Sequence, residues 1–309
     1  MTRFESSSAF QHQDPVARFS FQHETEYIYT GPVRFLTHRF VLRPREDHIC
    51  RLESMTLKTH PECELRWTED ISGNIVALAE FSEDADTLVV LSEFTVAKLS
   101  HQGTANPPDL ITTPYPPLYP GIEEAATYLF RRSVFPSETD FLRSWVLNQD
   151  ALPKPGTEGP VFDILTSRIH SHVAYQRREI SGVQTPLETL EKAAGSCRDS
   201  AVLLMESARS IGFAARFVSG YMESGNSNVG RGSTHAWVEV YLPLYGWIGY
   251  DPSIGHRTGL GHIAVATSYH PRGIMPISGK FDRKGNQYSD MKVAISSQRL
   301  PVTPTSPLL

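Results

Sequence analysis

A single cysteine in the second half of the chain stands where a thiol could act as a nucleophile. Cys197 lies in AAGSCRDSAVLLMESARSIGFAARFVSGYM, which runs from 193 to 222, and it follows Gly195 and Ser196 at the predicted start of a helix. The unpaired N–H groups and the positive end of the helix dipole stabilise a thiolate at such a position. A cysteine there is suited to covalent catalysis, although a lone cysteine is also common as inert packing.

The sequence around Cys197 carries the signals of one amphipathic helix. Ser196 is a good N-cap, and Asp199 stands three residues later, as in a capping box. We interpret Asp199 as a structural cap rather than a catalyst. Gly212 stands where a helix commonly ends. Apolar residues recur at the spacing of one buried helical stripe, at Ala201, Leu204, Met205 and Ala208.

A cysteine nucleophile needs a base and a group that orients the base. The segment THAWVEVYL alternates as a strand, with His235 at its start, and GWIGYD predicts the next strand, ending at Asp251. An antiparallel hairpin joined at PLYG would bring Asp251 back beside His235, where a carboxylate fixes the imidazole tautomer. From the residues alone, a structural strand histidine followed by an Asp-Pro turn remains the alternative.

Composition excludes several classes of function. The net charge of −5 argues against nucleic-acid or anionic-membrane partners, and no apolar run reaches the ~18 residues of a membrane helix. Cys50, Cys63 and Cys197 form no C-x-x-C pair, so neither a zinc site nor a dithiol is indicated. The first residues lack an apolar signal region, and the odd cysteine count is typical of a reducing cytoplasm, where we expect the protein.

The chain divides by composition into two parts. Residues 15–100 alternate as strands and predict an N-terminal β-sandwich, in which DISGN and the runs NIVALAEF and TLVVLSEFTVAKL indicate a hairpin. Residues 101–120 contain six prolines and predict a connector. Helices are expected at roughly 121–132, 137–148, 160–174 and 186–194, with strands after Phe213. The last residues, 297–309, predict a flexible tail.

Several segments together resemble the bacterial transglutaminase-like superfamily, with papain-like proteins as more distant relatives. GSCRDSAVLLMESARSIGFAARFVSGY is similar to the family's core signature, with its G-x-C-x-D helix start and A-R-x-V-S-G-Y strand. THAWVEVYLPLYGWIGYDPS is similar to its His and Asp segments, GHIAVATSYHPRGIMPISG to the segment that follows, and FQHETEYIYTGPV with VLRPRE to the N-terminal β-rich region. The resemblance covers nearly the whole chain, apart from both tails.

The resemblance implies a role for each of the three residues. Cys197 would be the nucleophile, His235 the general base and acid, and Asp251 the orienting carboxylate. Two departures from the family pattern are small: Ser200 replaces an aromatic or bulky residue common in members, and the DPS sequence ending at Ser253 replaces the commoner D-P-T.

Other residues are weaker candidates. Tyr175 is a candidate oxyanion donor or a core tyrosine, and Trp237 and Trp247 could wall the acyl site or simply pack the sheet. Glu239 is the one acidic residue that could hold an amine, and 223–233 is a lip over the cleft or a passive connector. The remaining histidines of interest are irregularly spaced and do not indicate a metal site; they are His256, His262 and His270.

The sequence therefore predicts an α+β fold, with a transglutaminase-like, papain-like core at 121–296 behind the β-sandwich. The expected activity is cysteine-dependent acyl transfer on a peptide or glutamine-type carboxamide through a thioester, ending in hydrolysis as in a cysteine protease or amidase. A transglutaminase or amide-forming acyltransferase is the alternative, and a non-enzymatic binding module the second. No cofactor is implied, the partner expected is a peptide or protein substrate, and the oligomeric state is not readable.

Overall fold

The computed structural model describes residues 15–99, 111–148, 152–154, 156–178, 182–223, 234–243, 245–283 and 285–302. Within these ranges no helix is both long enough and apolar enough to cross a bilayer. The mixed α+β fold predicted from the sequence is confirmed, with a mostly β N-terminal part followed by a core of helices and strands.

The N-terminal part is a sandwich of two antiparallel sheets. Its own strands are β1 (Pro15–Phe35), β2 (His38–Phe40), β3 (Cys50–His60), β4 (Cys63–Glu69), β5 (Ile75–Phe81) and β6 (Asp84–Leu99). One sheet joins β1, β6 and β3, and the other joins β2, β5 and β4. The alternation in β1 buries Phe19 and Phe21, since successive side chains of a strand point to opposite faces of the sheet.

The predicted hairpin between the runs NIVALAEF and TLVVLSEFTVAKL is wrong. The turn at 70–74 joins β4 to β5, whereas β5 and β6 lie in different sheets. Asp70 accepts backbone N–H groups of Ser72 and Asn74 through Oδ1, which closes that turn. The link from β5 to β6 passes from one sheet of the sandwich to the other, a crossing that strand periodicity does not reveal.

The second part contains the remaining elements. They are β7 (Thr113–Tyr115), α1 (Ile122–Thr127), α2 (Thr139–Leu147), β8 (Thr157–Gly159), α3 (Val161–His172), β9 (Ala174–Tyr175), α4 (Pro186–Lys192), β10 (Ala194–Gly195), α5 (Cys197–Ser210), β11 (Ala215–Met222), β12 (His235–Leu242), β13 (Gly246–Asp251), β14 (His256–Arg257), β15 (His262–Ser268), β16 (Ile277–Ser278), β17 (Phe281–Asp282) and β18 (Tyr288–Leu300). The predicted helices are confirmed, the first as a short helix followed by a 3₁₀ turn.

The centre of this part is α5 packed on an antiparallel sheet of order β14-β13-β12-β11-β15. Ala236, Val238 and Val240 of β12 join the core that contains the apolar face of α5. Gly212 follows the helix with φ +95°, a conformation that glycine adopts without strain, as the predicted helix end requires. The helix and the sheet thereby hold the starts of α5 and β12 in fixed positions.

The C-terminal strands return to the N-terminal sandwich, which corrects two predicted boundaries. β16 pairs with β2, while β17 and β18 pair with β1, so the residues from 277 onward do not belong to the core sheet expected for 121–296. The predicted flexible tail also begins too early, since Leu300 pairs with Arg18. The alternation of β18 is weak because most of its side chains are exposed. Residues 303–309 lie outside the described residues, as do residue 100 and residues 101–110 of the predicted connector.

Several buried contacts tie the two parts together, and one of them is centred on His23. His23 of β1 is hydrogen-bonded through Nδ1 to the Tyr221 hydroxyl of β11 at 2.7 Å, and through Nε2 to Thr25 Oγ1 at 2.9 Å. The rings of Phe21, Phe94 and Tyr221 pack beside this contact, with centroids 5.2–5.3 Å apart. The sandwich therefore packs directly against the strand that neighbours β12.

Candidate active site

Cys197 is the first residue of α5, and the residue is buried, with 6% of its surface exposed. Ser196, extended at φ −81° and ψ 174°, is the N-cap, as predicted. The helix then runs for 14 residues with nearly every side chain buried. The thiol therefore lies at the positive end of a rigid, buried helix.

Asp199 closes the start of this helix, and the prediction of a structural cap is confirmed. Its Oδ2 accepts the Ser196 backbone N–H at 2.8 Å and the Ser196 hydroxyl at 2.7 Å. Its Oδ1 accepts the Gln184 N–H at 2.7 Å, and Arg178 donates to both oxygens at 2.6 and 2.8 Å. Burial acts to raise the pKa of the Asp199 carboxyl, but these hydrogen bonds hold its pKa below the usual range.

The glycine of the G-x-C-x-D motif, Gly195, is required because a side chain there would clash with Asp199. A Cβ added at Gly195 would lie 2.9 Å from the Asp199 Cβ, so a larger residue would displace the carboxylate from the helix start. Gly220, in the A-R-x-V-S-G-Y strand, pairs with His235 and is equally constrained. A Cβ at Gly220 would lie 2.2 Å from the Ile263 carbonyl and 2.7 Å from the Trp237 ring.

His235 and Asp251 lie together at the open end of the β12–β13 hairpin. The last pairs in the register are Val238 with Tyr250 and Glu239 with Gly249. Asp251 Oδ2 accepts the Nε2–H of His235 at 2.6 Å, and both side chains are fully buried. The hairpin geometry predicted from the separation of 16 residues is what the chain adopts.

Asp251 accepts four hydrogen bonds. Oδ1 accepts the backbone N–H of Ser253 at 2.9 Å and its hydroxyl at 2.6 Å. Oδ2 accepts from His235 and also from the Nε2 of His262, at 3.1 Å. Burial acts to raise the pKa of the Asp251 carboxyl, but the charge of His235 and the bonds from both histidines hold it far below its usual range.

The environment of His235 favours its charged form. Burial acts to lower the pKa of His235, but the charges of Asp251 and Cys197 and its hydrogen bonds raise that pKa to about 10. The effect of Cys197 requires the thiol to lie close to the ring. Nδ1 of His235 is buried and accepts or donates no bond to nitrogen or oxygen within the described part of the chain. It is the nitrogen left for proton exchange with a thiol.

The sequence did not single out His262 as a neighbour of Asp251. Its irregular spacing with His256 and His270 indicates no metal site, but it opens β15, on the far side of β11 from β12. Its position before the apolar run IAVA was the available signal: a polar residue at a buried strand start requires a polar partner. His256 is exposed, and His270 accepts the Arg272 N–H at the surface.

A metal would find three donors here. The ligand atoms of His235, Asp251 and His262 lie within 4.8 Å of one another. The Nε2 atoms of His235 and His262, however, both lie at hydrogen-bonding distance from Asp251 Oδ2. Those two hydrogen bonds account for the arrangement. The positions of these side chains therefore need no ion to explain them.

Of the weaker candidates on the hairpin, Trp237 lies beside the site, whereas Trp247 and Glu239 have other partners. Trp237 lies beside the site, with its ring 6.1 Å from that of His235 and 5.2 Å from that of His262. Trp247 pairs with Tyr241 at the other end of the hairpin, which favours the sheet-packing alternative for this residue. Glu239 forms an ion pair with Arg216 at 2.6 Å, which occupies the one carboxylate expected to hold an amine.

Tyr175 lies next to the strand that leads into Cys197. β9 pairs in parallel with β10, and Tyr175 is opposite Gly195. This places Tyr175 near the start of α5 and leaves it a candidate donor. The predicted lip, 223–233, lies outside the described residues except for Glu223, whose N–H donates to the Gly261 carbonyl.

Comparison with known proteins gives two matches to family models. Residues 155–252 match the transglutaminase-like superfamily, and residues 19–97 match the bacterial transglutaminase-like N-terminal region. The first range contains Cys197, His235 and Asp251 but not His262.

Among individual proteins, the chain is 27% identical over 285 residues to an uncharacterized protein of Mycobacterium tuberculosis, covering 85% of this chain and 87% of that one. It is 30% identical over 118 residues to an uncharacterized protein of Mycobacterium leprae, covering 37% and 41% of the two chains. The solved "Putative Cysteine Protease" of Cytophaga hutchinsonii superposes with a TM-score of 0.67 at 19% identity, covering 95% of this chain and 94% of that chain. This last likeness concerns the fold.

Proposed function

Because the chain belongs to the transglutaminase-like superfamily, we propose that it is a cysteine-dependent acyl-transfer enzyme that acts on a peptide or glutamine-type carboxamide. Cys197 is the nucleophile, His235 the general base and acid, and Asp251 the carboxylate that orients His235. The observation that carries the proposal is the buried hydrogen bond from His235 Nε2 to Asp251 Oδ2, with Cys197 raising the pKa of the same imidazole.

The first half of the reaction transfers the acyl group to sulfur. The Cys197 thiolate attacks the carboxamide carbon, a C–S bond forms, and the carbonyl oxygen becomes an oxyanion. The backbone N–H of Cys197 is free to stabilise that oxyanion because the first N–H groups of a helix lack an intrahelical acceptor. The His235 imidazolium then gives its Nδ1 proton to the departing nitrogen, the C–N bond breaks, and ammonia or an amine leaves a thioester behind.

The second half releases the acyl group. His235, now neutral, removes a proton from water, and the hydroxide formed attacks the thioester carbon. The C–S bond breaks, a carboxylic acid leaves, and the proton held by His235 restores the imidazolium–thiolate pair. Throughout, the Asp251 carboxylate holds the proton on Nε2, so that Nδ1 faces the reacting atoms.

Hydrolysis is the favoured outcome because the described residues offer no free carboxylate for an amine at the site. Glu239, the one acidic candidate on β12, is engaged by Arg216, whose guanidinium also stacks 4.1 Å above the Trp247 ring. A transfer enzyme must favour an amine over water at about 55 M.

We also propose a cytoplasmic location, which fractionation of the native host with an antibody would test.

The experiment has a labelling stage and a product stage. Iodoacetamide should modify Cys197 first, because burial raises the pKa of both Cys50 and Cys63. Peptide mapping over a time course identifies the site, and Cys63→Ala, the matched control, should label as the wild type does.

Peptide and glutamine-amide substrates are then supplied with a labelled primary amine, and acid and amide products are quantified by mass spectrometry. Excess acid, absent with Cys197→Ala, supports hydrolysis. Excess amide would make the protein an amide-forming acyltransferase. Modification of Cys50 or Cys63 before Cys197, with no product of either kind, would favour the binding module.

A further inference from the structure

A second imidazole contacts the carboxylate of the site from outside the hairpin. His262 opens β15, pairs with Met222 of β11, and is 8% exposed. Its Nε2 lies 3.1 Å from Asp251 Oδ2, the same oxygen that His235 contacts at 2.6 Å. The ring centroids of the two histidines lie 6.0 Å apart.

The hydrogen bonds of His262 assign its tautomer. The backbone N–H of Gly259 points at His262 Nδ1 at 3.1 Å. A backbone N–H can only donate, so Nδ1 carries a lone pair and the proton of the neutral ring is on Nε2. His262 is therefore a neutral donor to Asp251, with both ring nitrogens satisfied.

Burial is the main reason that His262 stays neutral. Burial, the charge of His235 and the ammonium of Lys98 on β6 act to lower the pKa of His262, while Asp251 acts to raise it, and the net direction is down. The edge of the Trp237 ring packs against it from β12. A second positive charge beside the His235 imidazolium is thereby avoided.

Two donors on one oxygen share its charge. A stronger negative charge on Asp251 Oδ2 stabilises the His235 imidazolium and so makes its Nδ1 proton harder to release. A donor from His262 withdraws part of that charge and also prevents rotation of the carboxylate. The His235 imidazolium can then release its proton to a leaving group more readily than it could beside an otherwise free carboxylate.

We propose that His262 is a positioning residue, which holds the Asp251 carboxylate in place with a neutral N–H and limits the basicity of His235. The effect of His262 on catalysis rests on the proposed function. The tautomer and the effect on His235 are properties of the folded protein that can be measured without a substrate.

The first test uses ¹⁵N-histidine NMR of the wild-type protein between pH 6 and 8. The expected result is that His262 is neutral with its proton on Nε2 at every pH. A proton on Nδ1, or a charged ring at pH 7, would overturn the assignment whether or not the protein turns over any substrate.

The second test compares His262→Gln with His262→Leu. Glutamine offers one acceptor and one donor, like the neutral ring, whereas leucine offers neither. The rate of Cys197 alkylation by the anionic reagent iodoacetate is measured against pH. On the alkaline side of this profile the rate falls as His235 loses its proton, and we call this fall the alkaline limb. We expect the alkaline limb to move up by about one pH unit in His262→Leu and to stay in place in His262→Gln.

Two results of this comparison would reject the positioning role. An unshifted limb in the leucine variant shows that His262 does not influence His235, and equal shifts in both variants show that ring packing alone matters. If His262→Leu does not fold, a glutamine variant that moves the limb by a full unit rejects the role equally well. If Cys197 does not react in the wild type, the proposed function fails, while the NMR test of the His262–Asp251 contact still stands.

Discussion

The imidazole of His235 and the carboxylate of Asp251 are joined by a 2.6 Å hydrogen bond between two side chains with no exposed surface. Because both groups are buried, the surrounding solvent screens their charges only weakly. The bond leaves Nδ1 as the nitrogen that can exchange a proton with a thiol. Loss of the carboxylate should therefore affect both the tautomer and the charge of the histidine.

Asp251→Asn should reduce turnover by about 10³–10⁴-fold, the scale known for the orienting carboxylate of a catalytic triad. It should also destabilise the fold by about 1–3 kcal/mol, because the amide NH₂ must face groups that are themselves donors. Turnover of the best substrate and urea unfolding are the measurements. Ser253→Ala, which removes only the hydroxyl bond to Oδ1, is the control and should stay within a few-fold of the wild type. Wild-type turnover in Asp251→Asn would show that another residue orients His235.

Asp199→Asn should cost about 3 kcal/mol in the free energy of unfolding, since it leaves the Arg178 guanidinium without a buried anionic partner. Cys197 should also label more slowly, because the start of α5 loses the carboxylate that fixes Ser196. Glu188→Gln is the matched control, because Glu188 forms the capping box of α4 at an exposed position, and it should cost only about 0.5 kcal/mol. Equal losses in the two variants would contradict a special role for Asp199.

The local part of this architecture was predictable and the long-range part was not. Ser196, Asp199 and Gly212 mark the ends of α5 by rules that involve only neighbouring residues, and alternation in THAWVEVYL locates β12. His262 joins Asp251 only because β15 pairs with β11, a choice of partner that no local periodicity encodes. The return of β18 to β1 was missed for the same reason. A strand with exposed side chains pairs through its backbone, which every sequence shares.

Removal of residues 288–309 should destabilise the protein without altering the reactivity of Cys197. β18 pairs with β1 from Arg18 to Tyr29, and its loss exposes the backbone groups of that edge. We expect a loss of several kcal/mol in unfolding free energy, since each net backbone bond is worth about 1 kcal/mol. Removal of residues 303–309 alone is the control and should change nothing. If the two truncations unfold alike, the strand makes no contribution to stability.

His23 should make the protein sensitive to mild acid. Burial lowers the pKa of His23 from 6.5 to about 4, so the native protein keeps the ring neutral at a pH where the unfolded chain protonates it. Below about pH 6.5 the unfolded state therefore binds more protons, and the free energy of unfolding falls as the pH falls towards 4. The full effect is at most about 3 kcal/mol.

The measurement is urea unfolding of the wild type and His23→Gln at intervals from pH 7 to pH 4. Glutamine removes the titrating group, so the stability of the wild type relative to the variant should decline across this range. His60→Gln, at an exposed position on β3, is the matched control, and its difference from the wild type should stay nearly constant. Parallel curves for the wild type and His23→Gln would mean that His23 takes up its proton over the same pH range in the folded protein as in the unfolded chain. Once His23 is charged, its Nδ1–H donates a hydrogen bond, and the Tyr221 hydroxyl, which can accept as well as donate, accepts that bond in the contact between the sandwich and the core.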